Sequence, residues 1–491
     1  MNVLFVYSQD QTYSKQRPLE FSEYIQLGIS YISAVLTRHG HRTRLVVLSP
    51  HYKRHGLKLL EQKICEFAPR LICYTAVSTQ YEFIAELAGS VVERHPGIYQ
   101  LFGGPHASVN PEDVIAGPFD ALCVGEGEFP TLELVTCLEA GADPGGIANL
   151  WIKGERGVEK NSTRPFLKNI DDLPHPDREM WMDWILPFPN PRFSVLLGRG
   201  CPFECTYCSN HVLKRLAEGP YVRFRSPDRI LIEVQDLAER YPAVEEMYLE
   251  IETIGLNQEW ILDLCTKLQE FNANRPDPIA FGTNIRVTPN CDFEERFSAM
   301  AMANFKFINI GLESGSERVR REILKRNYSN EDVLRTVAQA KANGLRVQIY
   351  NLIGIPGETI ADFNMTVWVN RACCPDGHQT SIFYPYPGTR LYSLCKSRGL
   401  LGGRFRKNGI ERCNSVLDLP EFPRSEIEKR YIWFDYSVYR GIYPLYRIIP
   451  RIVRAKMRGY PRLMSLIRRM IRNEAVRSFE KFIGDKGRRT A

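Results

Sequence analysis

The chain has 491 residues, 44% hydrophobic and 25% charged, which is the composition of a globular protein with about two to four ordinary cores. No run approaches the roughly 18 to 20 apolar residues of a membrane-spanning helix, and MNVLFVYS passes straight into polar sequence, unlike a signal peptide, so the expected location is the cytoplasm. The net charge of +7 is unevenly held: residues 424–491 carry 18 Lys/Arg against 6 Asp/Glu, which leaves the rest net acidic and without the basic footprint of a nucleic-acid-binding protein.

Residues 1–150 alternate short β-branched runs with amphipathic helical patterns. NVLFVYS is followed by a helix over about 27–39 that Gly40 closes, then TRLVVL, RLICYT, a helix over about 81–94, IYQLFGG, a short helix, DALCVGEGE and a helix from about Thr131. This rhythm predicts a parallel, doubly wound, Rossmann-like α/β sheet. Ligands of such sheets sit beyond the carboxyl ends of the strands. Here those ends carry Thr75 and Ser78, then Gly103-Gly104-Pro105-His106, then Gly125-Glu126-Gly127-Glu128. One such loop could serve a tight turn alone; three together favour a ligand. No GxGxxG fingerprint or Walker loop is present, so neither a dinucleotide nor a nucleoside triphosphate is indicated.

Residues 151–190 include DDLPHPDREMWMDW and PFPNP, a composition that reads as an irregular linker packed on the surface. From 191 to about 400 a second β–α series follows: FSVLLGRG, EEMYLEI, IAFGTN, FINIGLES, RVQIYNLIG and SIFYPYP, separated by helices near 228–240, 258–271, 292–303, 316–343 and 359–371. Six strand–helix steps predict a partial (β/α)6 barrel, whose function gathers at the strand C-termini. Residues 401–491 form a basic helical C-terminal extension. Leu463, Ile467, Met470 and Ile471 recur there at helical spacing beside Arg462, Arg468, Arg469 and Arg472, with Pro450 and Pro461 upstream. Two readings stay open for it: helices that cap the barrel, or a surface for peripheral contact with an anionic membrane.

Thirteen cysteines, mostly scattered singly in apolar segments, read as small buried hydrophobes of a reducing compartment. The exception is GCPFECTYCSN, which places Cys201, Cys205 and Cys208 in one loop after a strand. Thiolates select zinc or iron–sulfur clusters, and closed sites want four ligands. This loop supplies three cysteines and no histidine within it, which suits a cluster with one open iron; a zinc site with a distant fourth ligand is the alternative.

CPFECTYC resembles the signature of radical S-adenosylmethionine (SAM) enzymes, with Tyr207 as the aromatic before the last cysteine. The resemblance implies a [4Fe–4S] cluster whose open iron binds SAM, and one-electron cleavage of SAM to methionine and a 5′-deoxyadenosyl radical. It further implies that Glu252, with Glu250, accepts hydrogen bonds from the SAM ammonium, and that Arg286, Glu313, Ser314 and Gly354 lie near the SAM ribose, carboxylate and adenine. Ile251 departs from the usual acidic residue. FYPYPGTRLY matches the closing segment of the barrel and is assigned to architecture.

The first half resembles the cobalamin-binding domains fused ahead of many such barrels, through LGISYISAVLTRHGH, YTAVST, GGPHASVNPEDV and VGEGEFPTLELV. That implies cobalamin contacts at Thr75, Ser78, Gly103, Gly104, Gly125, Glu126 and Gly127. The DxHxxG motif of cobalt ligation is absent, and His106 is read as a structural or loop histidine rather than a ligand. The two resemblances together imply cobalamin-dependent methyl transfer to an unactivated carbon of a small molecule or peptide, with electrons from a flavodoxin- or ferredoxin-like donor. An oxidative cyclase or rearrangement enzyme without methylation, and a non-catalytic corrinoid or iron–sulfur sensor, are the competing readings.

Overall fold

The computed structural model describes residues 1–9, 16–19, 24–186, 192–252, 254, 257–403, 405 and 412–458. The apolar repeat at Leu463–Ile471 lies outside the described residues. The first unit runs β1 (Asn2–Ser8), α1 (Leu27–Arg38), β2 (Arg42–Leu48), α2 (Lys53–Phe67), β3 (Leu71–Thr75), α3 (Tyr81–Arg94), β4 (Tyr99–Gly103), α4 (Pro105–Val109), α5 (Pro111–Ile115), β5 (Ala121–Cys123), α6 (Glu128–Ala140), β6 (Leu150–Gly154) and β7 (Gly157–Lys160). Its strands lie in the order β2-β1-β3-β4-β5-β6-β7, the first five parallel. The continuous apolar runs of β1 to β4 are what a parallel strand covered on both faces needs, and Val3, Leu4, Phe5 and Val6 are buried accordingly. The chain reverses its winding between β1 and β3, the crevice where doubly wound sheets take ligands.

The structure adds α2, which the sequence pattern does not announce. KRHGLKLLEQ is strongly polar, and Gly56, Leu60, Ile64 and Phe67 form the buried stripe. It also extends the sheet past the expected boundary: β6 and β7 pair antiparallel after β5, so residues 151–160 complete the first sheet rather than open the linker.

The second unit runs β8 (Arg192–Leu196), β9 (Gly198–Arg199), α7 (Asn210–Leu213), β10 (Arg223–Phe224), α8 (Pro227–Arg240), β11 (Glu246–Glu250), α9 (Gln258–Ala273), β12 (Ala280–Ile285), α10 (Glu294–Met302), β13 (Phe305–Glu313), α11 (Asn330–Ala342), β14 (Arg346–Ile353), α12 (Ile360–Cys373), β15 (Gly377–Ile382) and α13 (Arg390–Ser397). Six parallel strands in the order β15-β14-β13-β12-β11-β8 make the expected open barrel. Period-2 alternation divides each strand. Ile308, Ile310 and Leu312 of β13 join the helix-side core, while Asn309 bonds Tyr248 and Asn284 across neighbouring strands.

After the barrel come α14 (Arg424–Ile432), α15 (Phe434–Tyr439) and α16 (Leu445–Met457). Ile427, Tyr431, Phe434 and Tyr439 join the core beside β15, and Arg371 donates to the carbonyls of Ser437 and Val438. The described part of the extension therefore packs on the barrel.

The segment expected as a surface linker is irregular but deeply held. Trp181 is fully buried and donates through Nε1 to Ser30 Oγ at 2.8 Å, and Ser33 donates to Asp177 at 2.6 Å. Arg178 reaches into the barrel to the Ser194 carbonyl and to Glu233 at 2.6 Å, while Arg225 meets the other Glu233 oxygen at 2.5 Å. Side-chain hydrogen bonds replace the backbone ladder that a segment without regular structure lacks. The two guanidiniums hold the buried Glu233 carboxyl below its ordinary range, although burial alone would raise it.

The turn from β14 to α12 rests on Glu358, which is fully buried and accepts from the amides of Gly354 (2.6 Å) and Ile355 (3.1 Å). Its Oε1 has no partner among the described residues, and burial pushes the carboxyl up to about 8.

Two outcomes follow from these buried charges. Glu233→Leu strands two cations in the seam and should destabilise the protein by about 3–5 kcal/mol in urea unfolding. Glu358 keeps its proton when folded up to about pH 8 but releases it near 4.5 when unfolded. Its contribution to stability is thus complete below the lower value and lost as pH rises through the upper one, by at most about 1.4 kcal/mol per pH unit. Glu358→Gln retains the two backbone bonds and should flatten that slope in unfolding measurements across the window.

Candidate functional site

The loop of Cys201, Cys205 and Cys208 connects β9 to β10, whose cross-strand pair is Arg199 and Arg223. Gly200 has φ +85°, and a Cβ there would strike the Tyr221 carbonyl, so the loop can leave the hairpin only through glycine. Thr206, between the cysteines, is fixed on both sides: its amide donates to Leu324, its hydroxyl to Ile323, and its carbonyl accepts from the Leu391 amide. The FYPYPGTRLY segment thus braces the loop from beneath.

Cys201 and Cys205 are buried and Cys208 is partly so. Hydrogen-bond donors already point at their sulfurs. Arg286 Nη1 lies 3.1 Å from Cys205 Sγ, with Arg326 Nη1 at 4.0 Å, and Asn210 donates to Cys208 Sγ through its amide (3.5 Å) and its Nδ2 (3.3 Å). The Arg286 guanidinium stacks on Phe203 at 3.6 Å, which holds it against the loop. Burial raises the Cys201 thiol, and that of Cys208 up to about 11, so loading with metal would release protons. No set of three or more His, Cys, Asp or Glu among the described residues converges on a point as a single-ion site does. Three thiols in one loop, two of them already met by guanidinium and amide donors, fit an iron–sulfur cluster of the [4Fe–4S] kind.

Of the other residues expected around SAM, Glu250, Glu252, Arg286 and Glu313 stand at or just beyond the C-terminal ends of β11, β12 and β13. Glu250 ends β11 and Glu252 lies two residues beyond, both accessible from the open side yet surrounded by protein. Burial raises both carboxyls. The Glu252 charge adds to the rise at Glu250, while Asn210 and Arg286 oppose it at Glu252. Glu313 ends β13 at φ +61°, where the register to β14 slips, and lies 3.4 Å from Arg326. A non-glycine residue in the left-handed region at a strand end is a local cost that the surrounding contacts sustain. Tyr207 accepts from the same Arg326 at 3.0 Å. Ser314 is fully buried, its hydroxyl taken by the Ser316 amide, and Gly354 (φ +73°) faces Ile427 of α14. These two shape the turns that follow β13 and β14.

Sequence reasoning passed over Asn210, His211 and Arg326. His211 is buried directly behind the last cysteine, where burial lowers the pKa of its ring. Asn210 and His211 follow the last cysteine closely enough to have been suspected. Arg326 is separated from Cys205 by 121 residues and carries no motif that would reveal it.

At the ends of β3 to β5, Gly104 (φ +92°) leads into α4, and a Cβ there would run into Thr75 Oγ1. Gly125 has φ +90° and donates its amide to Ser108; a Cβ at Gly127 would press Ile32 at 3.0 Å. Ser78 bonds His106 Nδ1 at 2.9 Å, and that ring is buried against Tyr81, with burial lowering its pKa to about 4. His106 is thus a neutral, structural residue in the first turn of α4 rather than a loop residue. The ends of β3 to β5 thus make a floor of short residues at the edge where doubly wound sheets take ligands, which suits a flat macrocycle, while the glycines at 104 and 127 are themselves required by Thr75 and Ile32. Glu126 departs from the expectation: both its oxygens are taken by Arg199, Arg223 and the Leu167 amide. The two sets of loops meet. Helix α4 lies against α7, and Asn110 donates to the Pro387 carbonyl at 3.2 Å.

Comparisons with known proteins agree with this geometry. Residues 195–367 match the radical SAM superfamily and residues 21–135 the B12 binding domain. An uncharacterised methyltransferase of Pyrococcus horikoshii is 28% identical over 411 residues, covering 82% of this chain and 85% of that one. The anaerobic magnesium-protoporphyrin IX monomethyl ester cyclase of Rubrivivax gelatinosus is 23% identical, covering 74% of this chain and 65% of the relative. The structure of the radical SAM methyltransferase TsrM from Kitasatospora setae, with cobalamin and a [4Fe–4S] cluster bound, superposes with a TM-score of 0.62 at 18% identity over 88% of this chain and 85% of that one. With both domains matched in sequence and this fold shared, the chain belongs to the radical SAM enzymes that carry an N-terminal B12-binding domain.

Proposed function

We propose that this protein is a cobalamin-dependent radical SAM methyltransferase acting on an unactivated carbon of a small molecule or peptide. The observation that carries the reading is the apposition of the three-thiol loop with the glycine-lined ends of β3 to β5, through α4 against α7 and Asn110 against Pro387. Methyltransferases among the relatives favour methyl transfer over cyclisation. Cys201, Cys205 and Cys208 would hold the cluster, and Thr75, Gly103, Gly104, Gly125 and Gly127 the corrinoid; the first supplies the electron that cleaves SAM, the second a carrier for the methyl group.

The chain's own residues have assignable tasks. Glu252, with Glu250, accepts hydrogen bonds from the SAM ammonium, an anion facing a cation in a partly desolvated mouth. Arg286 and Asn210 donate to cysteine sulfurs and stabilise the negative charge gathered there. Arg326 holds Tyr207 and Glu313 in one frame. Hydrogen abstraction has to precede methyl transfer, because an unactivated C–H offers no nucleophile, and the electron comes from a flavodoxin- or ferredoxin-like donor. Replacing all three cysteines by Ala should remove the iron and abolish 5′-deoxyadenosine release while far-UV circular dichroism stays unchanged; release by that variant would refute the reading. The wild type should add one CH2, about 14 mass units, to its substrate, whereas cyclisation would lose hydrogen or gain oxygen.

No described helix is long and apolar enough to cross a membrane. We place the protein in the cytoplasm and propose that α16 brings it to an anionic membrane surface. Ile448 packs into the core, whereas Leu445, Tyr446, Ile449 and Val453 are 57%, 64%, 52% and 48% exposed. Residues 441–458 contain no acidic side chain, and Arg447, Arg454 and Lys456 are exposed beside that apolar stripe. Aromatic and aliphatic groups flanked by cations suit the headgroup boundary, with about 1 kcal/mol for each engaged cation. The protein should co-sediment with anionic but not neutral vesicles at low salt, and Leu445→Glu/Ile449→Glu should abolish this.

A further inference from the structure

The carboxylates of the VGEGE motif, set aside by the cofactor assignments, take part in a closed ionic cluster between the two units. Arg199 spans both, with Nη1 2.9 Å from Glu126 and Nη2 2.6 Å from Glu128. Arg223 closes the other side of Glu126, at 3.0 Å to each of its oxygens, and also donates to the Leu167 carbonyl. The Arg199 guanidinium stacks over Tyr31, and that of Arg223 over Phe166. Two carboxylates and two guanidiniums leave no net charge, and each guanidinium adds a stacking partner to its ion pairs. Such a group is tolerable out of water, whereas an incomplete one would not be.

Placement gives the cluster its meaning. Arg199 and Arg223 face each other across β9 and β10, so they mark the two ends of the loop that carries Cys201, Cys205 and Cys208. Glu126 and Glu128 belong to the turn after β5, between the Gly125 and Gly127 floor and the first residue of α6. The base of the thiol loop and the third glycine-rich strand end are thus fastened to one another by charge-assisted bonds. Mere adhesion of two domains could occur anywhere along their seam, and Trp181 and Arg178 already supply it.

We infer that Arg199, Arg223, Glu126 and Glu128 form a clamp that sets the separation and orientation of the thiol loop relative to the corrinoid floor. Resting on the proposed function, this makes the two arginines positioning residues for methyl transfer rather than cofactor ligands. A displacement of about 1 Å between reacting groups can cost on the order of a hundredfold in rate. Loosening the clamp should therefore separate radical formation from methyl delivery.

The test uses the full-length protein reconstituted with cluster and cobalamin. Glu126→Gln/Glu128→Gln keeps size and hydrogen-bonding capacity but removes both negative charges. It should bind both cofactors and release 5′-deoxyadenosine within about twofold of wild type, while methylated product per 5′-deoxyadenosine falls about tenfold or more. Paramagnetic resonance of the reduced cluster beside the Co(II) corrinoid should show a weakened or broadened magnetic coupling, which a role in stability alone would not produce. Arg199→Lys, which keeps the charge but cannot span both carboxylates, should give an intermediate coupling, and it carries the test if the double variant fails to fold. Unchanged coupling and product ratio in the variants, or a parallel fall of product and 5′-deoxyadenosine with coupling intact, overturns the clamp. Wild-type protein that binds both cofactors yet never methylates overturns the proposed function instead, and the magnetic coupling still decides the clamp.

Discussion

Parallel strand polarity is the constraint on which the molecule depends. In a parallel sheet every loop that follows a strand emerges at the same edge, so polar and glycine-rich strand ends are gathered without any contact having to select them. The chain uses this twice. The first five strands of one sheet present Thr75, Gly104 and Gly125, and the six strands of the other present Glu252, Arg286 and Glu313. Helices cover the remaining faces, and the functional surface is left to the loops. What remains is to turn the two edges toward each other, which the irregular segment after β7 achieves by burying Trp181 and sending Arg178 into the barrel.

Charge is buried at the seams, and in closed groups. Glu233 is held by two arginines, Glu126 by two more, and Arg326 by a carboxylate, a phenol and the Gly311 carbonyl. An apolar seam of equal area would hold as firmly, but it would tolerate sliding. Directional bonds to planar guanidiniums do not, because a shift of an ångström leaves a buried charge without its partner. This suits a protein whose two cofactor sites lie on different domains and have to act on one substrate. At the C-terminal end of β11, by contrast, Glu250 and Glu252 carry carboxyls that burial raises, and only Glu252 has Asn210 and Arg286 to oppose the rise.

Much of this was legible in the residues. Spacing of Cys201, Cys205 and Cys208 is a local property, since three thiols within eight residues need only one loop. The same holds for the glycines at 104 and 125, whose positive φ is a matter of their own backbone, and for the 2.0 and 3.6 periodicities that announce strands and helices. Fold class, barrel type and the family therefore followed from the sequence, as did the reading of His106 as a structural histidine, although it sits in α4 and not in a loop. Short-range chemistry also left room for Asn210 and His211, which stand immediately after the last cysteine.

Only the tertiary structure decided which way the ambiguous side chains turn. Glu126 follows a strand end and suits a ligand loop on every local criterion, yet it faces Arg199 and Arg223, more than 70 residues away in sequence. Arg326 meets Cys205 across 121 residues, and the Pro- and Trp-rich linker is buried because Ser30 and Ser194 lie where it passes. On α16 both stripes are apolar, and packing alone settled that Ile448 turns inward while Leu445 and Ile449 stay exposed. A sequence determines what its neighbours in the chain can determine, namely backbone conformation, periodicity and the donors within one loop. Partners that meet only after the sheets have closed are chosen by geometry that no local pattern records, because the energy of an ion pair or a packed stripe depends on the group that arrives from elsewhere in the chain.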